Sequence, residues 1–159
     1  MIRVGIGQDQ HVLEEGRRLV LGGVELEGRR GPSGHSDADV LTHAVIDALL
    51  GAAGLGTIGE HFPDTDERYR DQSSLVLLEA TVRLVLAAGW RVGNVDSVVV
   101  AQAPRLQSQL RPMAHRLATR IGVDAAQVSV KATSPEGVGA LGRGEAIAAS
   151  AVALLERDA

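Results

Sequence analysis

Ser36-Asp37-Ala38-Asp39-Val40-Leu41-Thr42-His43-Ala44-Val45-Ile46-Asp47-Ala48-Leu49-Leu50-Gly51-Ala52 is the run from which the fold is read. Apolar residues recur at Val40, Leu41, Ala44, Val45, Ala48, Leu49 and Ala52, the spacing of one face of an amphipathic helix. Ser36 stands where an N-cap is expected, with Asp39 three residues on as a capping-box variant. Stepping about 100° per residue puts His43 on the side opposite the apolar face, with Asp39 and Asp47 one turn before and after it. His43 is therefore not a core histidine.

On the N-terminal side, residues 2–7 alternate as a strand. The segment Leu19 to Leu26 reads as a short hairpin turning at Gly22-Gly23, and residues 28–35 read as a loop. On the C-terminal side, residues 54–72 are rich in Gly, Pro, Asp and Thr without a sustained period, which predicts a long and functional loop. Helices follow from Ser74 to Ala88 and from Gln109 to Ile121, each stopped by a glycine, with strands from Val95 to Ala103, Val128 to Thr133 and Ala146 to Leu155. This order predicts an α+β fold, a mixed sheet with helices packed on one face. Val98-Val99-Val100-Ala101 and Ala148-Ala149-Ser150-Ala151-Val152-Ala153 are apolar or small on both faces of their strands. Three helices cover one face, so the other is expected to pack against sister subunits in a homo-oligomer.

With 159 residues, 45% hydrophobic and 23% charged, the chain is expected to form a single domain over 1–159. A net charge of -4 without a basic run gives no footprint for nucleic acid or an anionic membrane surface, so neither is expected as a partner. No cysteine is present, and any metal must be held by imidazole and carboxylate. The N-terminus enters a strand pattern directly and the apolar runs fall short of the roughly 20 residues that span a bilayer, so a soluble, cytoplasmic protein is expected.

Asp9-Gln10-His11 places a carboxylate and an imidazole two residues apart at the end of a strand, where alternation points both to one side. With His43 they make two histidines and one carboxylate, the open set of a catalytic Zn2+ that leaves a fourth position for substrate. Gly34 to Asp39 brings the imidazole of His35 and the hydroxyl of Ser36 to a helix entry, where free N–H groups favour an anion such as a phosphate. Phe62-Pro63-Asp64-Thr65-Asp66 and Lys131-Ala132-Thr133-Ser134-Pro135-Glu136 gather carboxylates and hydroxyls, which serve turns as readily as sites. Gly137 to Gly142 matches G-x-G-x-x-G, yet it leads into the last strand with no room for a dinucleotide fold. These residues point to metal-assisted chemistry on a phosphorylated metabolite. They leave the reaction open, with hydrolysis by water and binding without turnover both compatible with such a site.

Taken in order, D-x-H at 9–11, H-S-D-A-D-V-x-x-H at 35–43, D-A-L-L-G-A-A at 47–53, H-F-P-D-T-D at 61–66, G-N-V-D at 93–96, A-Q-A-P at 101–104, V-K-A-T at 130–133 and G-R-G-E at 142–145 closely resemble the 2-C-methyl-D-erythritol 2,4-cyclodiphosphate synthase family. The resemblance covers nearly the whole chain. It implies conversion of 4-diphosphocytidyl-2-C-methyl-D-erythritol 2-phosphate to the cyclic diphosphate and CMP, in a homotrimer with sites between subunits. It implies Zn2+ on Asp9, His11 and His43, and Mg2+ or Mn2+ on Glu136, with His35 and Ser134 stabilising the transition state. Substrate contacts are implied at Asp9, Gln10 and His11, at His35 and Ser36, at Thr57, Ile58 and Gly59, and at Phe62, Pro63, Asp64, Thr65 and Asp66. Asp64 and Asp66 would hold the erythritol hydroxyls. Ala101, Gln102, Ala103, Pro104, Arg105, Leu106 and Gln107, with Thr133, would cradle the cytidine, and Ser134, Pro135, Glu136, Ala140 and Arg143 complete the implied set. Thr57, Ser134, Pro135 and Ala140 depart from the family pattern, which has Asp, Thr, Thr and, in many members, Phe at those places.

Overall fold

The fold is described from a computed structural model for residues 1–158. Ala159, the last residue of the expected domain span, lies outside the described residues. The first strand, β1, runs Ile2–Glu15, so Asp9-Gln10-His11 lies in its interior and not at its end. The strand continues because two partners carry it: β7 (Ala146–Glu156) pairs antiparallel from Ile2 to Val12, and β4 (Arg30–Pro32) pairs antiparallel from Leu13 to Glu15. The stretch read as a loop over 28–35 thus contains a strand. The hairpin is present as β2 (Leu19–Leu21) and β3 (Val24–Leu26).

Helix α1 spans Val40–Ala53 and α3 spans Ser74–Ala87, separated by a segment that is not wholly irregular. It holds a short helix α2, Ile58–His61, and a 3-10 turn, Glu67–Tyr69. Strand β5 is Arg91–Val100, beginning and ending earlier than its apolar core suggests, and Ala101 onward is loop. Then come α4 (Leu110–Ile121), β6 (Val128–Thr133) and a short α5 (Gly139–Gly142). The main sheet has the order β4-β1-β7-β5-β6, antiparallel except for the parallel β5–β6 pair. This is the mixed α+β architecture expected.

α1 packs across β1 and β7, α4 lies against β6, and α3 against α1 and α4. Contact between α1 and β1 is close enough to exclude side chains on the strand. A Cβ on Gly7 would stand 2.0 Å from the carbonyl oxygen of Ala44, and one on Gly5 would stand 2.1 Å from that of Ala48. Glycine is required at both places by space alone. On the same strand face, Asp9 and His11 continue the line of Gly5 and Gly7 beside the helix.

Residues alternate across the sheet. Val99, Ala149, Ala151 and Ala153 are buried, while Ile2, Val4, Ile6, Val12 and Val152 stand exposed on the other face. Ile6 and Val152 are opposite one another in register, so their side chains form one apolar patch. No helix among the described residues is long and apolar enough to cross a membrane.

Candidate metal centre and the two clefts

The close seating of α1 on β1 brings His43 over Asp9. Oδ2 of Asp9 lies 3.0 Å from Nε2 of His11 and 3.0 Å from Nδ1 of His43. One ligand atom from each of the three lies within 4.8 Å of the others, a set that could hold a metal ion. The chemistry of the donors fits such an ion. Nδ1 of His11 lies 2.6 Å from the carbonyl oxygen of Ser33, which can only accept, so Nδ1 keeps a proton; Nε2, turned to Asp9, donates to it while the ring is protonated and offers a lone pair once the ring is neutral. Burial alone would raise the Asp9 carboxyl, but hydrogen bonds from the two imidazoles and their charge hold it well below the usual carboxylate range. The hydrogen bond to Asp9 lifts the His11 imidazole above its ordinary value against a smaller opposing effect of burial.

The environment of His43 differs from the sequence reading. Asp39 does not face it. It is fully buried and is the true N-cap of α1, accepting from Thr42 N at 3.0 Å, from Gly22 N at 2.9 Å and from Gly23 N at 2.8 Å. Ser36 is not the cap; its hydroxyl accepts from Ala38 N at 3.2 Å. Within the first turn of α1, the Asp39 carboxylate engages the N–H of Thr42. Asp47 accepts from Ile58 N at 2.7 Å and so ties α2 to α1. Ala38 has φ 54°, a left-handed conformation between two aspartates that face different elements. Asp39 goes to the hairpin, and Asp37 goes to the start of α3.

Asp9, His11, His35, Ser36 and His43 line one cleft of about 390 Å³ with Ile58, Gly59, Phe62, Pro63 and Asp64. Nε2 of His35 is 3.2 Å from the carbonyl oxygen of Asp66, which fastens the 61–66 loop over the cleft. The Asp66 carboxylate itself is engaged by the Arg68 guanidinium, which holds it below the usual range. Thr57 and Thr65 are exposed, and the Thr57 hydroxyl donates to Glu60 at 3.2 Å. Gln10 points to the opposite sheet face from its neighbours and is exposed.

A second cleft of about 400 Å³ is lined by Ala101, Gln102, Pro104 to Gln107, Thr133 and Ser134. Ala103 is exposed in the same loop. Glu136 is exposed beyond the end of β6 with φ 52°, and its N–H donates to Ser134 Oγ at 3.0 Å. Half-buried Pro135 precedes it, Ala140 is exposed on α5, and Arg143 pairs with Glu145 at 2.7 Å. No lining residue is common to the two clefts. Within one chain, therefore, the expected residues that line a cleft fall into two groups that do not share a cavity; Glu136 joins the second group through its bond to Ser134 but lines neither cleft itself. Sequence reasoning missed Tyr69 and Leu77, which also line the first cleft, and Ser74, whose hydroxyl lies 2.8 Å from Nε2 of His43. Ser74 carried no signal beyond marking a helix start.

A mixed α+β fold with a two-histidine, one-carboxylate set in a cleft defines a class: a protein with a group of side chains that could hold a metal ion. Within that class the comparisons are specific. The YgbB family profile matches residues 2–156, and the chain belongs to that family. It is similar to the 2-C-methyl-D-erythritol 2,4-cyclodiphosphate synthase of Desulfosudis oleivorans, 58% identical over 154 residues that cover 97% of this chain and 92% of the relative. Among solved structures it is similar to the bifunctional IspDF of Campylobacter jejuni, with TM-score 0.95 and 39% identity over 99% of this chain and 43% of that one. It is also similar to the CDP complex of IspF from Plasmodium falciparum, with TM-score 0.85 and 33% identity over 99% of this chain and 97% of that one.

Proposed function

We propose that this chain is the metal-dependent cyclase that converts 4-diphosphocytidyl-2-C-methyl-D-erythritol 2-phosphate into 2-C-methyl-D-erythritol 2,4-cyclodiphosphate and CMP. The observation that carries the reading is Oδ2 of Asp9 at 3.0 Å from both imidazoles, at a cleft, in a chain with the family's name on close relatives. Asp9, His11 and His43 would hold Zn2+, and Glu136 would hold Mg2+ or Mn2+ on the diphosphate. When bound, the two cations reduce repulsion between the attacking 2-phosphate and the β-phosphate and offset charge on the leaving CMP.

The residues supply position. The 2-phosphate oxygen forms a bond to the β-phosphorus as the bond to the CMP oxygen breaks. Attacker and target belong to one molecule, so the protein's task is to fold that molecule into line. Asp64 is exposed at the first cleft, where it can accept from the erythritol hydroxyls. His35 lines the first cleft and Ser134 the second, and from there each would offer a hydrogen bond to phosphate oxygens of the substrate. The cytidine would lie in the 101–107 loop, consistent with the CDP held by the Plasmodium falciparum protein.

That division supports a trimer with each site completed between neighbours. A substrate bridging the two groups needs the first cleft of one chain beside the second cleft of another. The exposed patch of Ile2, Val4, Ile6, Val12 and Val152 provides a surface for such an assembly. Phosphorus NMR of the reaction tests the activity. Cyclic diphosphate and free CMP in equal amounts are expected; inorganic phosphate would instead identify a hydrolase, and unchanged substrate a binding protein.

A further inference from the structure

His43 is held at both ring nitrogens. Nδ1 faces Asp9 at 3.0 Å, and Nε2 lies 2.8 Å from the hydroxyl of Ser74 and 3.1 Å from that of Ser36. Ser74 is the first residue of α3 and is fully buried. Its backbone N–H donates to Oδ2 of Asp37 at 3.0 Å, and its hydroxyl donates to Oδ1 of the same carboxylate.

A hydroxyl has one proton. With that proton committed to a carboxylate, which only accepts, Ser74 Oγ can meet Nε2 of His43 only as an acceptor. In the neutral ring Nε2 must then carry the proton, which leaves the Nδ1 lone pair directed at the space beside Asp9. Ser36 cannot make this choice, because its hydroxyl keeps a rotatable proton and can donate or accept. His11 reaches the complementary state by a simpler route, its Nδ1–H donating to the Ser33 carbonyl oxygen.

We propose that Asp37 and Ser74 are positioning residues: a relay from the Asp37 carboxylate through the Ser74 hydroxyl sets the tautomer of His43 that can bind metal through Nδ1. The relay opposes Asp9, whose carboxylate would draw the proton to Nδ1 in the metal-free protein. It rests on the reading of Asp9, His11 and His43 as ligands. Outer hydrogen-bond partners of this kind typically govern metal affinity by 10–100-fold.

Two substitutions separate the relay from a mere cap on α3. Ser74→Ala removes the hydroxyl but keeps the backbone N–H that Asp37 caps. Asp37→Asn keeps the size, but its amide can donate to Ser74 Oγ, freeing that hydroxyl to donate to Nε2 and favouring the wrong tautomer. Zn2+ affinity of the full chain is measured by competition with a chromophoric chelator, with thermal unfolding alongside to verify folding. Both variants should bind Zn2+ about 10–100-fold more weakly than the parent, and Ser74→Thr, which restores the hydroxyl, should recover most of the loss. In metal-free protein, nitrogen-15 spectra should show the Nε2–H form of His43 diminished in Asp37→Asn.

Zn2+ affinities of Ser74→Ala and Asp37→Asn within twofold of the parent, with an unchanged His43 tautomer, would overturn the relay and leave only the cap. A parent protein that takes up no Zn2+ would overturn the ligand reading instead, while the tautomer measurement would still judge the relay.

Discussion

Nδ1 of His43 stands 3.0 Å from Oδ2 of Asp9 across a separation of 34 residues. What brings them together is the absence of side chains at Gly5 and Gly7, which lets α1 lie against β1. A Cβ at residue 7 would meet the Ala44 carbonyl, a backbone group one residue from His43. Gly7→Ala should therefore destabilise the fold by about 3 kcal/mol in urea unfolding and weaken Zn2+ binding as well. An alanine variant with the parent's stability and Zn2+ affinity would mean that this contact does not set the site.

Protons and metal compete for the same imidazole, and the two states respond to pH in opposite ways. In the metal-free protein His11 titrates above its ordinary 6.5, so its contribution to stability is full below 6.5 and lost as pH rises through the raised value. Asp9 titrates below its ordinary 3.8, so its contribution is present above 3.8 and lost as pH falls through the lowered value. Thermal unfolding in chelator should show Tm falling as pH rises above 6.5, whereas the added stabilisation by Zn2+ should grow over the same range. Parallel pH dependence with and without Zn2+ would remove His11 from the ligand set.

Ile6 is 69% exposed, too large an apolar side chain to leave on a strand without a covering surface when Val152 lies beside it in register. Ile6→Glu should convert a trimer, about three times the 16.6 kDa chain mass, into monomers by light scattering. Because all three Zn2+ candidates belong to one chain, the monomer should keep its helical circular dichroism and its Zn2+ while losing turnover. A parent protein that is monomeric at micromolar concentration would contradict the assembly.

Much of this was legible in the sequence. The α1 periodicity, the hairpin at Gly22-Gly23 and the shared direction of Asp9 and His11 follow from local spacing, and the structure has them. Strand ends were less legible. Residues 8–15 stay extended because β7 and β4 pair with them, and no residue within the segment announces those partners. The capping of α1 was misread for a related reason. Asp39 and Ser36 are both good caps, and the choice was made by Gly22 and Gly23, whose N–H groups require a buried acceptor. Ser74 beside His43 was invisible because that contact crosses 31 residues.

Glu136 distinguishes the cyclase from a protein that only holds the nucleotide. Glu136→Gln keeps the size of the side chain and removes the charge that recruits the second cation, so kcat and kcat/KM should fall together by at least about 100-fold. Zn2+ content and Tm should stay at parent values, since the residue is exposed and outside the triad. Turnover within a few-fold of the parent in Mg2+ buffer would assign the residue to loop shape alone.

Subunit complementation tests most directly the claim that one chain's metal centre works with another chain's substrate loop. His43→Ala removes a Zn2+ candidate from the first group, and Glu136→Gln removes a cation ligand candidate from the second. Each variant alone should be inactive. Co-refolded in equal amounts, they form mixed trimers in which a site between an intact His43 on one chain and an intact Glu136 on its neighbour occurs with a probability of about one quarter. The account predicts that cyclic diphosphate and CMP production recovers to about a quarter of the parent rate. No recovery in mixed trimers whose composition has been verified by mass would contradict it, because a site contained in a single chain cannot be restored by a neighbour.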